Sequence, residues 1–136
     1  MEFREVLFYS VIIIGCIVAV QHMNVVTSGS MEPVLYRGDV ILVDFDVSNV
    51  QVGNIVVYHA TWTSPPKNVV HRVIKKEQKT NGAIIYITKG DNYHTNPDPD
   101  PVPVYQDQLI SKVMSVNNSP VVIPKIGYIT LILRGL

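Results

Sequence analysis

Two patterns of apolar residues divide the chain. The first is an uninterrupted apolar run, Val6 to Val20, which is 15 residues long and contains no charged residue. After Thr27 the apolar residues occur in short β-branched runs that are separated by turn residues. The first pattern predicts one helix within residues 1–26, and the second predicts a compact all-β domain over residues 27–136.

The β-domain is predicted from runs rich in Val and Ile and bounded by Gly, Pro, Asn or Asp. These runs lie at 40–45, 54–59, 68–74, 83–89, 109–116 and 121–124. The dipeptide Asn81-Gly82 lies between two of them and predicts a type I′ hairpin turn. Residues 96–103 alternate with prolines, which lack an N–H donor, so this segment is predicted to be a loop.

The apolar run has three interpretations: a buried helix of a soluble protein, a cleavable signal peptide, or an uncleaved membrane anchor. A span of the bilayer core needs about 20 residues, and Phe3 together with Val25 and Val26 can extend the run toward that length. The sequence Ala19-Val20 before Gln21 is a poor small-residue cleavage site. We therefore favour an uncleaved anchor over residues 1–26.

Two further features, the charge bias before the apolar run and the apolar C-terminal segment, carry less information about the membrane than the run itself. Arg4 and the amino terminus give a slight positive bias before the run, which predicts that residues after Val26 lie on the exported side of the membrane. The segment 126–136 is apolar but too short to span a bilayer. It is expected to be either a membrane-contacting tail or the start of a truncated second span.

Composition excludes several classes of function. The 136 residues contain 11 basic and 11 acidic side chains, and no basic stripe suits phosphate neutralisation, so nucleic-acid binding is not expected. The single cysteine, Cys16, lies inside the apolar run. It can form no internal disulfide, and a Cys-rich metal site is excluded.

Serine and histidine appear in two segments that suit nucleophilic catalysis. Ser28 and Ser30 flank Gly29 shortly after the apolar run, where the segment is either an ordinary polar linker or a turn that presents a nucleophile. His71 shares a strand face with Val69 and Val73. It is either a core histidine or a general base in a partly dry site.

Carboxylates follow the predicted strand at 83–89. Asp91 comes directly after Gly90, and Asp98 and Asp100 lie between prolines. Their ordinary role is to accept hydrogen bonds from main-chain N–H groups in turns. Their functional role would be that of a third triad member, which orients a histidine and stabilises its cation.

The order of these segments resembles that of the type I signal peptidases. The matching segments are SGSMEP at 28–33, RGDVILVD at 37–44, GNIVVY at 53–58, VVHRVI at 69–74, TKGDN at 88–92 and PKIGY at 124–128. Bacterial members of the common type carry Lys where His71 stands, whereas archaeal members and the endoplasmic-reticulum subunit carry His. The chain therefore resembles the archaeal or endoplasmic-reticulum Ser-His type. Two positions, Asn54 and Ser111, depart from the Asp and Gly that the family usually has there.

The resemblance implies a signal peptidase I, a membrane-bound serine endopeptidase that cleaves N-terminal signal peptides from secreted preproteins. Ser30 matches the nucleophile, His71 the base and Asp98 the catalytic carboxylate. Ser28 and Asp91 match supporting positions. No cofactor or metal is implied. The expected partners are signal peptides, the lipid bilayer and, in addition, a secretion channel, at the cell membrane or, in a eukaryote, the endoplasmic-reticulum membrane.

Two other functions remain open from the sequence. A self-cleaving repressor-type protease shares the core fold, but that class uses a lysine base and carries a DNA-binding domain. A membrane-tethered β-module without catalytic activity would make the Ser, His and Asp residues incidental.

Overall fold

The computed structural model describes residues 1–135; Leu136 lies outside the described residues. Its first element is helix α1, Phe3–Gln21, and every residue of the helix is exposed. The helix begins three residues before the apolar run, and the side chain of Glu5 accepts the N–H of Glu2 at 3.2 Å in its first turn. Among the described residues, α1 is the one helix long and apolar enough to cross a membrane.

The rest of the chain is a domain of short antiparallel strands, so the predicted all-β domain preceded by one apolar helix is confirmed. The strands are β1 (Met23–Val25), β2 (Val40–Asp44), β3 (Ile55–Ala60), β4 (Lys67–Gln78), β5 (Ile84–Lys89), β6 (Val104–Tyr105), β7 (Leu109–Val113), β8 (Ser115–Val116), β9 (Ser119–Pro120) and β10 (Val122–Ile123). A short 3-10 helix, Gln106–Gln108, precedes β7, and helix α2, Tyr128–Leu133, follows β10.

The main sheet has the strand order β1-β2-β7-β3-β4-β5-β6, and β10 adds a second pairing to β2. All of these pairs are antiparallel. Strand β4 is the longest, with 12 residues, and it lies between β3 and β5. This strand carries His71, so both neighbouring strands can contribute side chains beside the histidine.

The hairpin at Asn81-Gly82 exists, but its predicted turn type is wrong. Only Gly82 has a positive φ, 87°, and its N–H bonds the carbonyl of Lys79 at 2.9 Å. This is a three-residue loop that ends on a left-handed glycine, the next most common hairpin form. The type I′ turn lies instead at Asn117 and Asn118, whose φ angles are 51° and 63° and which join β8 to β9.

Two hydrophobic clusters form the core and fix the surroundings of the site. One contains Tyr58, Tyr86 and Val73 beneath β3, β4 and β5. The other contains Met31 and Leu35 from the loop after β1, packed with residues of β2, β3 and β7. The loop that carries Ser30 is therefore anchored in the core by its own side chains.

Helix α2 packs one side chain against the domain and exposes others. Leu131 is buried at 1% exposure, whereas Ile129, Ile132 and Leu133 are exposed at 65%, 74% and 82%. The N–H of Gly127 bonds the carbonyl of Gly38 at 2.8 Å. The segment thus lies beside the turn before β2, and its contact with a membrane stays a prediction.

Candidate active site

Ser30 lies in a turn that follows β1. The turn is closed by main-chain hydrogen bonds from Glu32 N–H to Gly29 O at 3.2 Å and from Leu35 N–H to Met31 O at 3.0 Å. The side chains of Met31 and Leu35 are 1% and 0% exposed. Burial on the far side of the turn holds Ser30 at the surface of the domain.

A second segment, directly after β5, supports the same turn. The N–H of Asn92 bonds the carbonyl of Ser30 at 2.9 Å, and its side-chain amide bonds the carbonyl of Gly29 at 2.8 Å. Gly90 lies so close that a Cβ there would come within 2.5 Å of the Ser30 carbonyl oxygen. The sequence analysis included Asn92 in the matching segment TKGDN but predicted no role for it, because only tertiary structure brings residue 92 to residue 30.

The structure brings Ser30, His71 and Ser28 together. The Ser30 Oγ lies 3.1 Å from Nε2 of His71 and 3.1 Å from the Oγ of Ser28. His71 is 3% exposed and lies on the same face of β4 as the buried Val69 and Val73. The predicted strand face is therefore confirmed, and the histidine is directed at a serine rather than enclosed by apolar side chains alone.

The carboxylate that faces His71 belongs to Asp100, and the sequence-based choice of Asp98 is corrected on this point. Oδ2 of Asp100 lies 2.6 Å from Nδ1 of His71, and the two side chains are 3% and 4% exposed. Asp98 is exposed. The series of contacts is therefore Ser30, His71 and Asp100.

The loop geometry explains the correction. Residues 97–98 form a bend at the surface, and the chain returns to the sheet only at Asp100, whose N–H bonds the carbonyl of Thr88 at 2.8 Å. Asp100, like Asp98, lies between two prolines. The spacing of the family motif, however, placed that carboxylate two residues too early.

The partners of His71 determine where its proton lies. An ionised carboxylate only accepts hydrogen bonds, so Nδ1 of His71 carries the proton that is donated to Asp100. Nε2 of the neutral imidazole is then an acceptor, and the hydroxyl of Ser30 donates to it. The Ser30 hydroxyl has a single proton, so in their mutual contact it is Ser28 that donates to Ser30.

The environment of Asp100 keeps the carboxylate ionised. Burial on its own would raise the pKa of Asp100, but hydrogen bonds from His71, Thr88 and Tyr58, together with the attraction of His71 in its protonated form, outweigh it and lower that pKa. A buried carboxylate that accepts several hydrogen bonds is stabilised in its charged form. The group can therefore balance a positive charge that forms on His71.

Asp91 has a different partner from the one expected. Its carboxylate does not tie the turn through main-chain N–H groups but pairs with Arg72, with Nε–Oδ1 at 2.9 Å and Nη2–Oδ2 at 2.7 Å. Arg72 also donates to the carbonyl of Gly53 at 2.8 Å. The side chain of Arg72 lies on the face of β4 opposite His71, so Asp91 supports the loop and does not contact the histidine.

A cleft of about 470 Å³ opens in front of Ser30 and His71. One wall is formed by β1 and the segment after it, and the other by the start of β4 and the loop before it. Apolar side chains on both walls include Val25, Val26, Val69 and Trp62. Polar side chains also line the cleft, among them Asn24, Thr63, Lys67 and Asn68.

A serine, a histidine and a buried carboxylate in hydrogen-bonded series form the arrangement that peptidases and other acyl-transfer enzymes use. The comparisons with known proteins point to one such class. The family described as "Signal peptidase, peptidase S26" matches residues 2–77, which include Ser30 and His71 but not Asp100. The chain belongs to this signal peptidase family.

Named relatives agree with the family. The human signal peptidase complex catalytic subunit SEC11C is 37% identical over 113 residues, which cover 81% of this chain and 56% of the subunit. The subunit SEC11 of Clavispora lusitaniae is 36% identical over 112 residues, covering 80% of this chain and 63% of the subunit. An uncharacterised protein of Methanocaldococcus jannaschii is 30% identical over an alignment of 174 residues, which covers 83% of this chain and 84% of that protein. The resemblance to signal peptidases is thus confirmed, although the chain spans little more than half the length of the named subunits.

Proposed function

We propose that this chain is a type I signal peptidase, a membrane-bound serine endopeptidase that removes signal peptides from exported preproteins. Ser30 is the nucleophile, His71 the general base and Asp100 the carboxylate that orients the base. The observation that carries the proposal is the continuous series from Ser30 Oγ through His71 to Asp100, with contacts of 3.1 Å and 2.6 Å. Membership of the signal peptidase family supports the choice of reaction.

The reaction proceeds by acyl transfer. Nε2 of His71 takes the proton of the Ser30 hydroxyl while the Ser30 Oγ forms a bond to the scissile carbonyl carbon. The charge that develops on His71 is balanced by Asp100. His71 then gives the proton to the leaving amine as the carbon–nitrogen bond breaks, and a water molecule deprotonated by His71 hydrolyses the acyl-enzyme.

Ser28 and the main-chain N–H of Ser30 are the proposed donors for the oxyanion. The Ser28 hydroxyl lies 3.1 Å from the attacking oxygen, so a modest rotation of its side chain directs its proton toward the carbonyl oxygen of a bound substrate. A single donor of this kind contributes on the order of 3 kcal/mol to transition-state stabilisation. The loss of Ser28 is therefore expected to be partial.

The substrate is proposed to lie extended along β1. His22 and Val26, which flank β1, face the strand β2 and its preceding residue: the N–H of Val43 bonds the carbonyl of His22, and the N–H of Val26 bonds the carbonyl of Asp39. In an antiparallel pair these residues alternate with those that face outward, so the main-chain groups of Met23 and Val25 point to the open edge. An extended peptide can add to such an edge through main-chain hydrogen bonds.

Helix α1 is proposed to be an uncleaved anchor that places the site near the bilayer. Its 19 residues extend about 28 Å at a rise of about 1.5 Å per residue, close to the hydrocarbon thickness of about 30 Å. The short β1 follows the helix directly, and Ser30 comes nine residues after Gln21. The exported side of the cell membrane is the proposed location of the domain.

The catalytic proposal is tested by incubating the detergent-solubilised protein with a preprotein and measuring the shortened product. Ser30→Ala is expected to abolish cleavage with its thermal unfolding unchanged, since a hydroxyl at a surface turn adds little to the core. Ser28→Ala is expected to retain partial activity, and Ser119→Ala, an exposed serine far along the chain, to retain full activity. An active Ser30→Ala variant would refute the assignment, and an inactive wild type would favour a non-catalytic β-module.

The topology is tested separately with membrane vesicles. In right-side-out vesicles, added protease is expected to cleave at Lys75, which is exposed on β4. The same protein in inverted vesicles is expected to be protected until detergent is added. Protection in the right-side-out preparation would contradict the proposed orientation.

A further inference from the structure

A buried hydrogen-bond network lies behind Asp100. Tyr58 on β3 and Thr88 on β5 are each 1% exposed, and these two strands flank β4, which carries His71. The Tyr58 hydroxyl lies 2.8 Å and the Thr88 hydroxyl 2.7 Å from Oδ2 of Asp100. This is the same oxygen that lies 2.6 Å from Nδ1 of His71.

The direction of each hydrogen bond follows from the chemistry of the groups. Burial first, and the nearby charge of Asp100 in addition, raise the pKa of Tyr58, so the phenol keeps its proton and can donate. The Thr88 Oγ1 lies 3.4 Å from the Tyr58 oxygen, farther than from Asp100, so its proton is directed to the carboxylate. Asp100 therefore accepts three hydrogen bonds on one oxygen.

We propose that Tyr58 and Thr88 are positioning residues whose hydroxyls fix the Asp100 carboxylate in the direction of His71. The catalytic part of this inference rests on the proposed function. Neither residue contacts the reacting atoms; each acts through Asp100. The hydrogen bond from the Asp100 N–H to the carbonyl of Thr88 fixes the backbone of Asp100. The side chain could still rotate, and the hydroxyls of Tyr58 and Thr88 prevent that rotation.

The position of Asp100 explains why such support is needed. The residue lies in a loop that forms no strand between the end of β5 at Lys89 and the start of β6 at Val104. Without other donors, rotation of the carboxylate would exchange its two oxygens and vary the contact with His71. Catalytic side chains need supporting hydrogen bonds that lock their rotamers within a few tenths of an ångström.

The experiment compares hydroxyl-deleting variants with matched controls. Tyr58→Phe and Thr88→Val remove one donor each and keep the shape of the side chain, whereas Thr88→Ser keeps the hydroxyl. Tyr86→Phe is the control for losing a buried phenol, because the Tyr86 hydroxyl donates to Gln106 at 2.7 Å and not to Asp100. The readouts are kcat, KM, thermal unfolding and the low-field proton resonance of the His71 Nδ1–H.

Each hydroxyl-deleting variant is expected to lower kcat by roughly tenfold while KM stays within about twofold, because the lost group acts on the triad and not on substrate binding. The His71 resonance is expected to leave its wild-type position, or to be lost to solvent exchange, in Tyr58→Phe and Thr88→Val. It should remain in place in Tyr86→Phe and Thr88→Ser, which should also keep kcat near the wild-type value.

An unchanged His71 resonance together with an unchanged kcat in Tyr58→Phe and Thr88→Val would overturn the inference. An equal fall of kcat in Tyr86→Phe would also overturn it, since the effect would then be one of general core stability. The resonance reports on the Asp100 network even if no preprotein is cleaved. Failure of the proposed function and failure of this inference are therefore distinguishable.

Discussion

Two neighbouring residues of β4 each bind a carboxylate from the segment after β5, on opposite faces of the strand. His71 contacts Asp100, and both side chains are nearly fully buried at 4% and 3% exposure. Arg72 contacts Asp91 on the other face, where the side chains are 28% and 17% exposed. The same strand and the same loop thus supply two polar pairs that differ chiefly in partner and in access to water.

Burial separates the two pairs: the His71–Asp100 pair is shielded from water, whereas the Arg72–Asp91 pair is partly exposed. Arg72 is always charged and forms a bidentate contact with Asp91, which holds the loop near Ser30. Such a contact suits a structural role. The carboxylate of Asp100, the partner of His71, is buried and is therefore poorly screened by solvent. The Arg72–Asp91 pair holds the loop in place, and the contact between His71 and Asp100 depends on where that loop lies.

The largest effect is expected from breaking the buried His71–Asp100 pair. Asp100→Asn should lower turnover by about three to four orders of magnitude, because His71 loses the partner that fixes its tautomer and balances its charge. Asp98→Asn is the matched control two residues away and should stay within about twofold of the wild type, since a change at an exposed bend has little effect. Turnover of a preprotein in detergent measures both. An inactive Asp98→Asn beside an active Asp100→Asn would reverse the assignment.

Breaking the Arg72–Asp91 pair should act mainly on stability. Asp91→Asn removes a charge-assisted contact of a partly buried Arg72 and should lower the free energy of unfolding by about 1–3 kcal/mol. The control is Glu77→Gln, which removes the exposed contact with Lys75 and should cost less than about 1 kcal/mol. Chemical denaturation in detergent checks both. A stable but inactive Asp91→Asn would show that Asp91 takes part in the chemistry.

The site was predictable from the sequence where its geometry is local. Alternation along β4 placed His71 on the buried face with Val69, and segment order singled out Ser30. Asp100 was not predictable, since a loop with bends does not keep the regular spacing of a strand. Tyr58 and Thr88 carried no signal either, because each resembles an ordinary strand residue until three strands and the loop are brought together.

Acid pH offers a milder way to test the buried pair. The pKa of Asp100 is lowered in the folded protein because hydrogen bonds from His71, Thr88 and Tyr58 outweigh the opposing effect of burial. Its contribution to stability is therefore complete above its ordinary pKa and is lost as pH falls through the lowered value. The free energy of unfolding of the wild type should thus fall more steeply on acidification than that of Asp100→Asn.

The control for the acid effect is again Asp98→Asn, which should keep the steep dependence of the wild type. Unfolding at several pH values below 5 measures the slopes. Parallel slopes for wild type and Asp100→Asn would contradict the assigned hydrogen bonds, whatever the outcome of the activity assays.

The smallest expected effect concerns a buried polar group that lacks the partners of Asp100. Ser111 on β7 is 0% exposed, and within residues 1–135 its hydroxyl has no hydrogen-bond partner. Burying an unpaired hydroxyl costs free energy, so Ser111→Ala should keep or raise the free energy of unfolding, by up to about 1 kcal/mol. The exposed Ser115→Ala should change it by less than about 0.5 kcal/mol, and both variants should cleave at the wild-type rate. A clear loss of stability in Ser111→Ala would mean that this hydroxyl is hydrogen-bonded in solution, and that the buried polar groups of the domain are all paired as Asp100 is.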